Sequence, residues 1–243
     1  MSTNIYKDRM EELEDNAHLI SMVPVGELLR FGFEVGLDEH SRVLDLCCGY
    51  GTALKVWSQA FGIAGVGVDR VKDFIEAGKA RLTNTRIELL CGDVLQYKTK
   101  EKFDAVVCTE LSTGLFDDFA QGIAYLEKFL KPGGTLVFGR LYSKIPEPPR
   151  ELADFDGPLP TLREIYEEAR RCGYLITAMA SGTDAAWEQY IFRGAEQSLE
   201  KLRKDPEDEW TNKWYRIYFD YRRPYEGWAL FGLEKISVKT ICP

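Results

Sequence analysis

Residues 41–57, SRVLDLCCGYGTALKVW, decide the fold. Arg42 to Asp45 read as a short buried strand, Cys47 to Gly51 as a tight turn of small residues, and the turn opens into a helical pattern with apolar Leu54 and Trp57. A strand, turn and helix in this order bring backbone N–H groups and the positive end of a helix dipole against a ligand. Only residues with little or no side chain let that ligand approach. Gly49 and Gly51 are therefore candidate contacts to a cofactor. A dinucleotide fingerprint requires G-x-G-x-x-G with no acid ahead of it, whereas here Gly49-Tyr50-Gly51-Thr52-Ala53 runs into Leu54 and the strand ends in Asp45. A carboxylate at that point repels a pyrophosphate. It suits a cation, such as the ammonium of an amino-acid-bearing cofactor.

Working outward, further strands with acidic ends recur. Ala64 to Arg70 (AGVGVDR) forms a second buried strand ending in Asp69, which lies 24 residues beyond Asp45. That is near the roughly 20-residue spacing at which a doubly wound unit sets an acid against a ribose, although a lone strand-end Asp also serves as a helix N-cap. A helix from Val71 to Leu82 follows. Ile87 to Leu90 is a third strand closing in Cys91-Gly92-Asp93-Val94, and Phe103 to Glu110 is a fourth. Leu130 to Phe138 combines a helix end, a Pro-Gly turn and a fifth strand. Alternating strands and helices imply a parallel sheet with ligands at the carboxyl ends of the strands, the rim on which Asp45, Asp69, Asp93 and Cys108 fall.

On these residues the chain resembles the class I S-adenosylmethionine (SAM) methyltransferases, whose first motif, D-x-G-x-G-x-G, is met by Asp45, Cys47, Gly49 and Gly51. Cys47 stands where the first glycine is usual. The resemblance covers about residues 41–140 and implies SAM as cofactor, with S-adenosylhomocysteine as its product. It also implies cofactor contacts at Asp69 and Arg70, recognition of the adenine by Asp93 and Val94, and a methyl-facing strand exit from Cys108 to Ser112. The fold implied is α/β, a Rossmann-like doubly wound sheet of seven strands in the order 3-2-1-4-5-7-6. Its last strand is antiparallel, and helices are added at both termini. Residues 1–243 are expected to form one methyltransferase domain: a helical cap over 1–40, the SAM-binding core over 41–140, and substrate-side lid helices with the last two strands over 141–243.

The flanks are read from pattern. Two helices are expected between residues 5 and 35, one with Tyr6, Met10 and Leu13 on a face and one with Val25, Leu28, Leu29 and Phe33. In the family such a segment folds over the cleft. Prolines between 146 and 160 mark a loop, and Thr161 with Glu164 has capping-box spacing before a helix to Cys172. Tyr174 to Ala180 is a sixth strand, Ala185 to Lys204 a long helix, Trp210 to Arg222 another, and Gly227 to Lys235 a seventh strand. Trp187-x-x-Tyr190, Lys204 to Glu207, and Tyr218-x-x-Tyr221-Arg222 ahead of Gly227-Trp228 resemble the YjhP-like branch of the bacterial small-molecule methyltransferases (methyltransferase domain types 11 and 25). That branch often leaves its fifth strand through E-P-Y-W; here Arg140 to Ser143 keeps the tyrosine, Tyr142, and replaces the acid by a base.

Composition bounds the partners. A formal charge of −8 over 243 residues argues against a nucleic-acid backbone as main partner, since such binding rests on a basic face. A local patch of Arg140, Lys144 and Arg150 is the exception. The start is charged without a signal-type apolar core, and no run approaches the roughly 18 apolar residues of a spanning helix. A soluble, cytoplasmic monomer or homodimer acting on a small molecule is expected. Six cysteines without a C-x-x-C read as reduced thiols. Cys47, Cys48, Cys91 and Cys108 are expected at strand ends bordering one pocket, either as small packing residues or as ligands for a soft metalloid substrate. No metal site is expected.

Methyl transfer needs a nucleophile held about 3 Å from an already activated methyl group, so a strong base is optional. Tyr142 is the first candidate to orient or deprotonate the acceptor and Glu110 the second, or else a capping or pairing residue; His18 is either a surface or capping histidine or a pocket base. The acceptor is expected to enter between the N-terminal segment, the exit of the fourth strand, Tyr142 and the Trp187/Tyr190 helix. A NAD-dependent oxidoreductase is disfavoured by Asp45 and the missing third glycine. A catalytically silent SAM-sensing or partner-binding protein would keep the same fold.

Overall fold

The computed structural model describes residues 5–83, 85–109, 115, 116 and 118–236, with side chains from residue 10 onward. Seven strands form one sheet in the order β3-β2-β1-β4-β5-β7-β6, as expected. They are β1 (Arg42–Leu46), β2 (Ala64–Asp69), β3 (Arg86–Cys91), β4 (Phe103–Cys108), β5 (Leu130–Ser143), β6 (Tyr174–Ser181) and β7 (Glu226–Lys235). β1 to β5 are mutually parallel and β7 runs antiparallel to both β5 and β6.

Each strand alternates its side chains between two cores. On one face Val43, Ala105, Val107, Val137, Trp228 and Leu230 join a cluster with α2 (Val25–Glu34), α3 (Thr52–Phe61) and α8 (Asp184–Phe192). On the other, Leu44, Leu46, Val106, Cys108, Phe138 and Phe231 pack with α5 (Phe119–Glu127) and α7 (Leu162–Arg171). Burial on both faces explains why these strands read as continuous apolar runs. It also fixes the register, because a slip of one residue would exchange the two cores.

Several expectations are corrected. In α2 the buried positions are Val25, Leu28, Phe31 and Gly32, and Phe33 is 76% exposed, because helical periodicity turns it away from the stripe at 28, 31 and 32. Met10 and Leu13 on α1 (Ile5–His18) are likewise exposed. The Pro-Gly turn after α5 lies inside β5: Phe103 pairs with Leu130 and Ala105 with Thr135, so Lys131 to Gly134 bulge out of an otherwise continuous ladder. The proline-rich loop holds a helix, α6 (Arg150–Asp156).

The long helix expected from 185 to 204 is two. α8 ends at Phe192 and α9 (Ala195–Lys204) restarts after Gly194, a poor helix former that caps it. The helix expected from Trp210 to Arg222 is α10 (Glu209–Ile217) followed by a π turn, Tyr218–Arg222. Pro224 stands just beyond and has no N–H to give the turn, which fits a local widening of the helix. The capping box at Thr161 is present, with the Glu164 N–H donating to Thr161 Oγ1 and the Thr161 N–H donating to Glu164.

Candidate active site

The carboxyl ends of β1, β2 and β3 open on a cavity of about 350 Å³. Register explains what enters it. Asp45 pairs with Val107 across β1 and β4, both on the face of the first core, and both line the cavity. Asp69, Arg70, Asp93 and Val94 line it too, so all three strand-end carboxylates share one pocket.

The three acids have different surroundings. Asp45 is buried, and its Oδ1 has no hydrogen-bond partner among the described residues. Burial, assisted by the charge of Asp69, pushes its carboxyl up to about 8. A buried carboxyl on the cavity wall with one oxygen unpartnered among the described residues fits a cationic group, which would draw it into its ionised form. Asp69 serves its own chain first: Oδ2 accepts from the Gly49 N–H at 2.9 Å and Oδ1 from the Val71 N–H at 2.8 Å. It thereby ties the glycine turn to the end of β2, and each oxygen keeps a lone pair for a ligand. Asp93 caps the short 3₁₀ turn Val94–Gln96 by accepting from the Leu95 N–H, while the Val94 carbonyl accepts from the Tyr125 hydroxyl.

Within the glycine turn Gly49 lines the cavity and Gly51 does not. Gly51 sits at φ +70 at the start of α3, where an added Cβ would lie 2.8 Å from the Leu89 side chain. Cys47 has φ +66, the left-handed region in which a side-chain-bearing residue costs about 1–2 kcal/mol. That explains why a glycine is usual there. Replacing Cys47 by glycine is accordingly expected to hold or raise the melting temperature, and replacing it by β-branched valine to lower stability by at least ~1 kcal/mol. Thermal melts of the two variants check this, and an unchanged Cys47→Val melt would remove the strain.

Other expected residues stand apart. Cys108 is buried on the opposite face, one residue out of phase with Val107. Tyr142 shares that face with Phe138, and its ring packs beside Gly227 in a separate hollow with Lys144 and Thr161. Neither lines the cavity, because strand parity sends both to the second core. Arg140 pairs with Glu168 and lies over the Phe119 ring. Glu110 falls outside the described residues, as does most of the strand exit after Thr109. Of the four cysteines expected around one pocket, only Cys47 and Cys48 line it; Cys91 is exposed and Cys108 lies in the core. Burial, followed by the charges of Asp45 and Asp69, pushes the Cys48 thiol up, which opposes thiolate chemistry.

The N-terminal segment does close the cavity, through His18, Leu19, Ile20 and Ser21. His18 Nδ1 lies 2.7 Å from the Glu14 carbonyl, which only accepts, so Nδ1 carries the hydrogen of this contact. The ring stands edge-on to Tyr50, which packs on Phe74 at 4.4 Å. The Trp187/Tyr190 helix does not line the cavity. Arg193 at its end donates to the Leu19 carbonyl and Thr183 at its start donates to the Met22 carbonyl, so it supports the segment from behind. Phe74, Thr52, Trp57, Leu115 and Leu230 are lining residues that motif reading missed. Phe74, an aromatic five positions after a strand-end acid, was the one with a sequence signal.

Comparison with known proteins places this geometry. Residues 43–134 match the family model described as a methyltransferase domain. The chain is 26% identical over 212 residues to the protein YjhP of Escherichia coli, covering 79% of this chain and 84% of that one. It is 24% identical over 170 residues to the malonyl-[acyl-carrier protein] O-methyltransferase of Priestia megaterium, covering 70% of this chain and 57% of that one. Among solved structures, a SAM-dependent methyltransferase from Thiobacillus denitrificans in complex with S-adenosyl-L-homocysteine superposes with a TM-score of 0.78 at 24% identity, covering 90% of this chain and 94% of that one. The crystal structure of YjhP superposes with the same score at 23% identity, covering 92% and 97%. The family resemblance is borne out, and the shared fold with it.

Proposed function

We propose that this chain, whose residues 43–134 match a methyltransferase domain, transfers a methyl group from SAM to a small-molecule acceptor. The observation that carries this is the convergence of Asp45, Asp69 and Asp93 from three successive strand ends on one cavity, with a buried oxygen of Asp45 lacking a partner among the described residues. SAM supplies a methyl group already activated by its sulfonium. In this chain Asp45 would take the donor's ammonium. Asp69 would hold the glycine turn against it and share its remaining lone pairs with the ribose. Asp93 and Val94 would take the adenine, with Phe74 beside them, and His18 to Ser21 would exclude water.

The acceptor is small on this view. A cavity of about 350 Å³ is at the low end of ligand pockets, which favours a small acceptor beside the donor. Its approach is past Thr109 and Leu115, not past Tyr142. His18 lines the cavity and Tyr142 does not, so His18 becomes the first candidate to orient or deprotonate the acceptor. With the cysteines separated, the metalloid alternative loses the cluster that motivated it.

Calorimetry with SAM, S-adenosylhomocysteine and NAD tests the donor, and NAD binding without SAM binding would overturn the assignment. Transfer of radiolabelled methyl across a metabolite panel tests the chemistry. SAM binding with no acceptor labelled would favour the silent SAM-binding protein.

A further inference from the structure

The cap over the cavity is attached in an unusual way. Of the described side chains of α1, residues 10–18, the apolar Met10 and Leu13 face solvent and the buried one is Asp15. Asp15 receives Lys55 Nζ at 2.8 and 2.9 Å on its two oxygens and an Arg81 nitrogen at 2.7 Å on Oδ1, while Glu11 reaches Lys55 at 3.5 Å. The Lys55 and Asp15 side chains are 10% and 6% exposed, so this is a shielded ionic contact and not a surface pair.

Its two cations sit on the two helices that flank the cavity. Lys55 is one turn along α3 from Thr52, and Arg81 is two turns along α4 (Lys72–Arg81) from Phe74; Thr52 and Phe74 both line the cavity. Three residues after Asp15 the chain reaches the lining itself, where the His18 carbonyl accepts from Thr52 Oγ1 at 3.1 Å. Over residues 10–18 of α1, therefore, the buried contact is a charged clamp and not an apolar stripe, and the clamp ends where the lining begins.

We propose that Asp15 is a positioning residue for the donor pocket: through Lys55 and Arg81 it sets the closed position of the segment His18 to Ser21 over the bound nucleoside. This rests on the donor assignment above. Without the carboxylate, Lys55 and Arg81 lose their shared partner, α1 loses its buried anchor, and the segment opens more often.

The test is S-adenosylhomocysteine binding to the parent chain and to Asp15→Asn, Arg81→Met and the double variant, by calorimetry and stopped-flow, with hydrogen exchange of the free proteins. Asp15→Asn is expected to raise Kd about tenfold, chiefly through faster dissociation. Arg81→Met should do so less, and the double variant no more than Asp15→Asn, because both substitutions break one contact. Amides of residues 18–23 should exchange faster while those of the sheet do not. Affinity of Asp15→Asn within about twofold of the parent would overturn the proposal, as would exchange rising equally throughout the sheet, which marks general destabilisation. If Asp15→Asn does not fold, Arg81→Met carries the same test. Failure of the parent protein itself to bind would instead defeat the donor assignment.

Discussion

Asp69→Ala is expected to reduce donor affinity by about 100-fold, because it removes a carboxylate whose charge-assisted hydrogen bonds are each worth ~1.5–3 kcal/mol, and 1.4 kcal/mol is tenfold in affinity. The physical cause is local. With the side chain gone, the N–H groups of Gly49 and Val71 lose their acceptor, the glycine turn is freed from the end of β2, and the ribose contact goes with it. Asp69→Asn keeps one acceptor oxygen and should fall between the two. Because the charge of Asp69 helps raise the Asp45 carboxyl, its removal should also let Asp45 ionise at lower pH. Calorimetric titration with S-adenosylhomocysteine across pH reads both effects. Affinity for Asp69→Ala equal to the parent's would exclude Asp69 from the binding role.

The second large effect is on pH. Two buried carboxyls are raised to about 8 from ordinary values of 3.8 and 4.5: Asp45, by burial and then Asp69, and Glu226, by burial and then Asp156, against which Arg222 and Lys144 act. Arg222 Nε lies 3.2 Å from Glu226 as an ion-pair contact but donates to Asp156 at 2.9 Å, which leaves both Glu226 oxygens without a hydrogen-bond donor among the described residues. Between pH 4 and 8 the folded chain keeps protons that the unfolded chain has released. These groups therefore make stability fall as pH rises through that window and level off above it, by at most ~1.4 kcal/mol per pH unit for each group. Melting temperatures of the ligand-free protein should decline from about pH 5.5 to 8.5. Glu226→Gln should flatten part of the slope, and an identical slope in that variant would remove Glu226 from the account. Donor affinity should move the opposite way, rising with pH toward 8, since a cation selects the ionised form of Asp45.

Much of the fold was legible because its signals are local. The glycine turn at 47–51 and the apolar runs at 42–46, 64–69 and 103–108 depend on residues adjacent in the chain, and they place Asp45, Asp69 and Asp93 at strand ends wherever the sheet forms. The residues that fall away from the cavity share a different cause. Tyr142 and Cys108 were placed by their distance along a strand, whereas their side-chain direction depends on phase. Phase is set by pairing, Asp45 with Val107 and Leu46 with Cys108. The bulge at Lys131 to Gly134 looks like a turn in sequence because Pro-Gly-Gly has the same composition in both. The break at Gly194 is weak in sequence; in the structure it directly follows Arg193, whose side chain donates to the Leu19 carbonyl.

By itself, then, the sequence determined the order of the strands and α-helices from β1 to β4, the glycine turn between β1 and α3, and the row of acids at the strand ends, all consequences of short-range sterics and of the two-residue and 3.6-residue periods. Only the tertiary structure decided which of those residues face one cavity, that Asp69 is spent first on its own backbone, and that Asp15, 40 residues from Lys55 and 66 from Arg81, fastens the cap. Contacts between distant segments depend on register and on compensation of buried charge, and no window of neighbouring residues contains either.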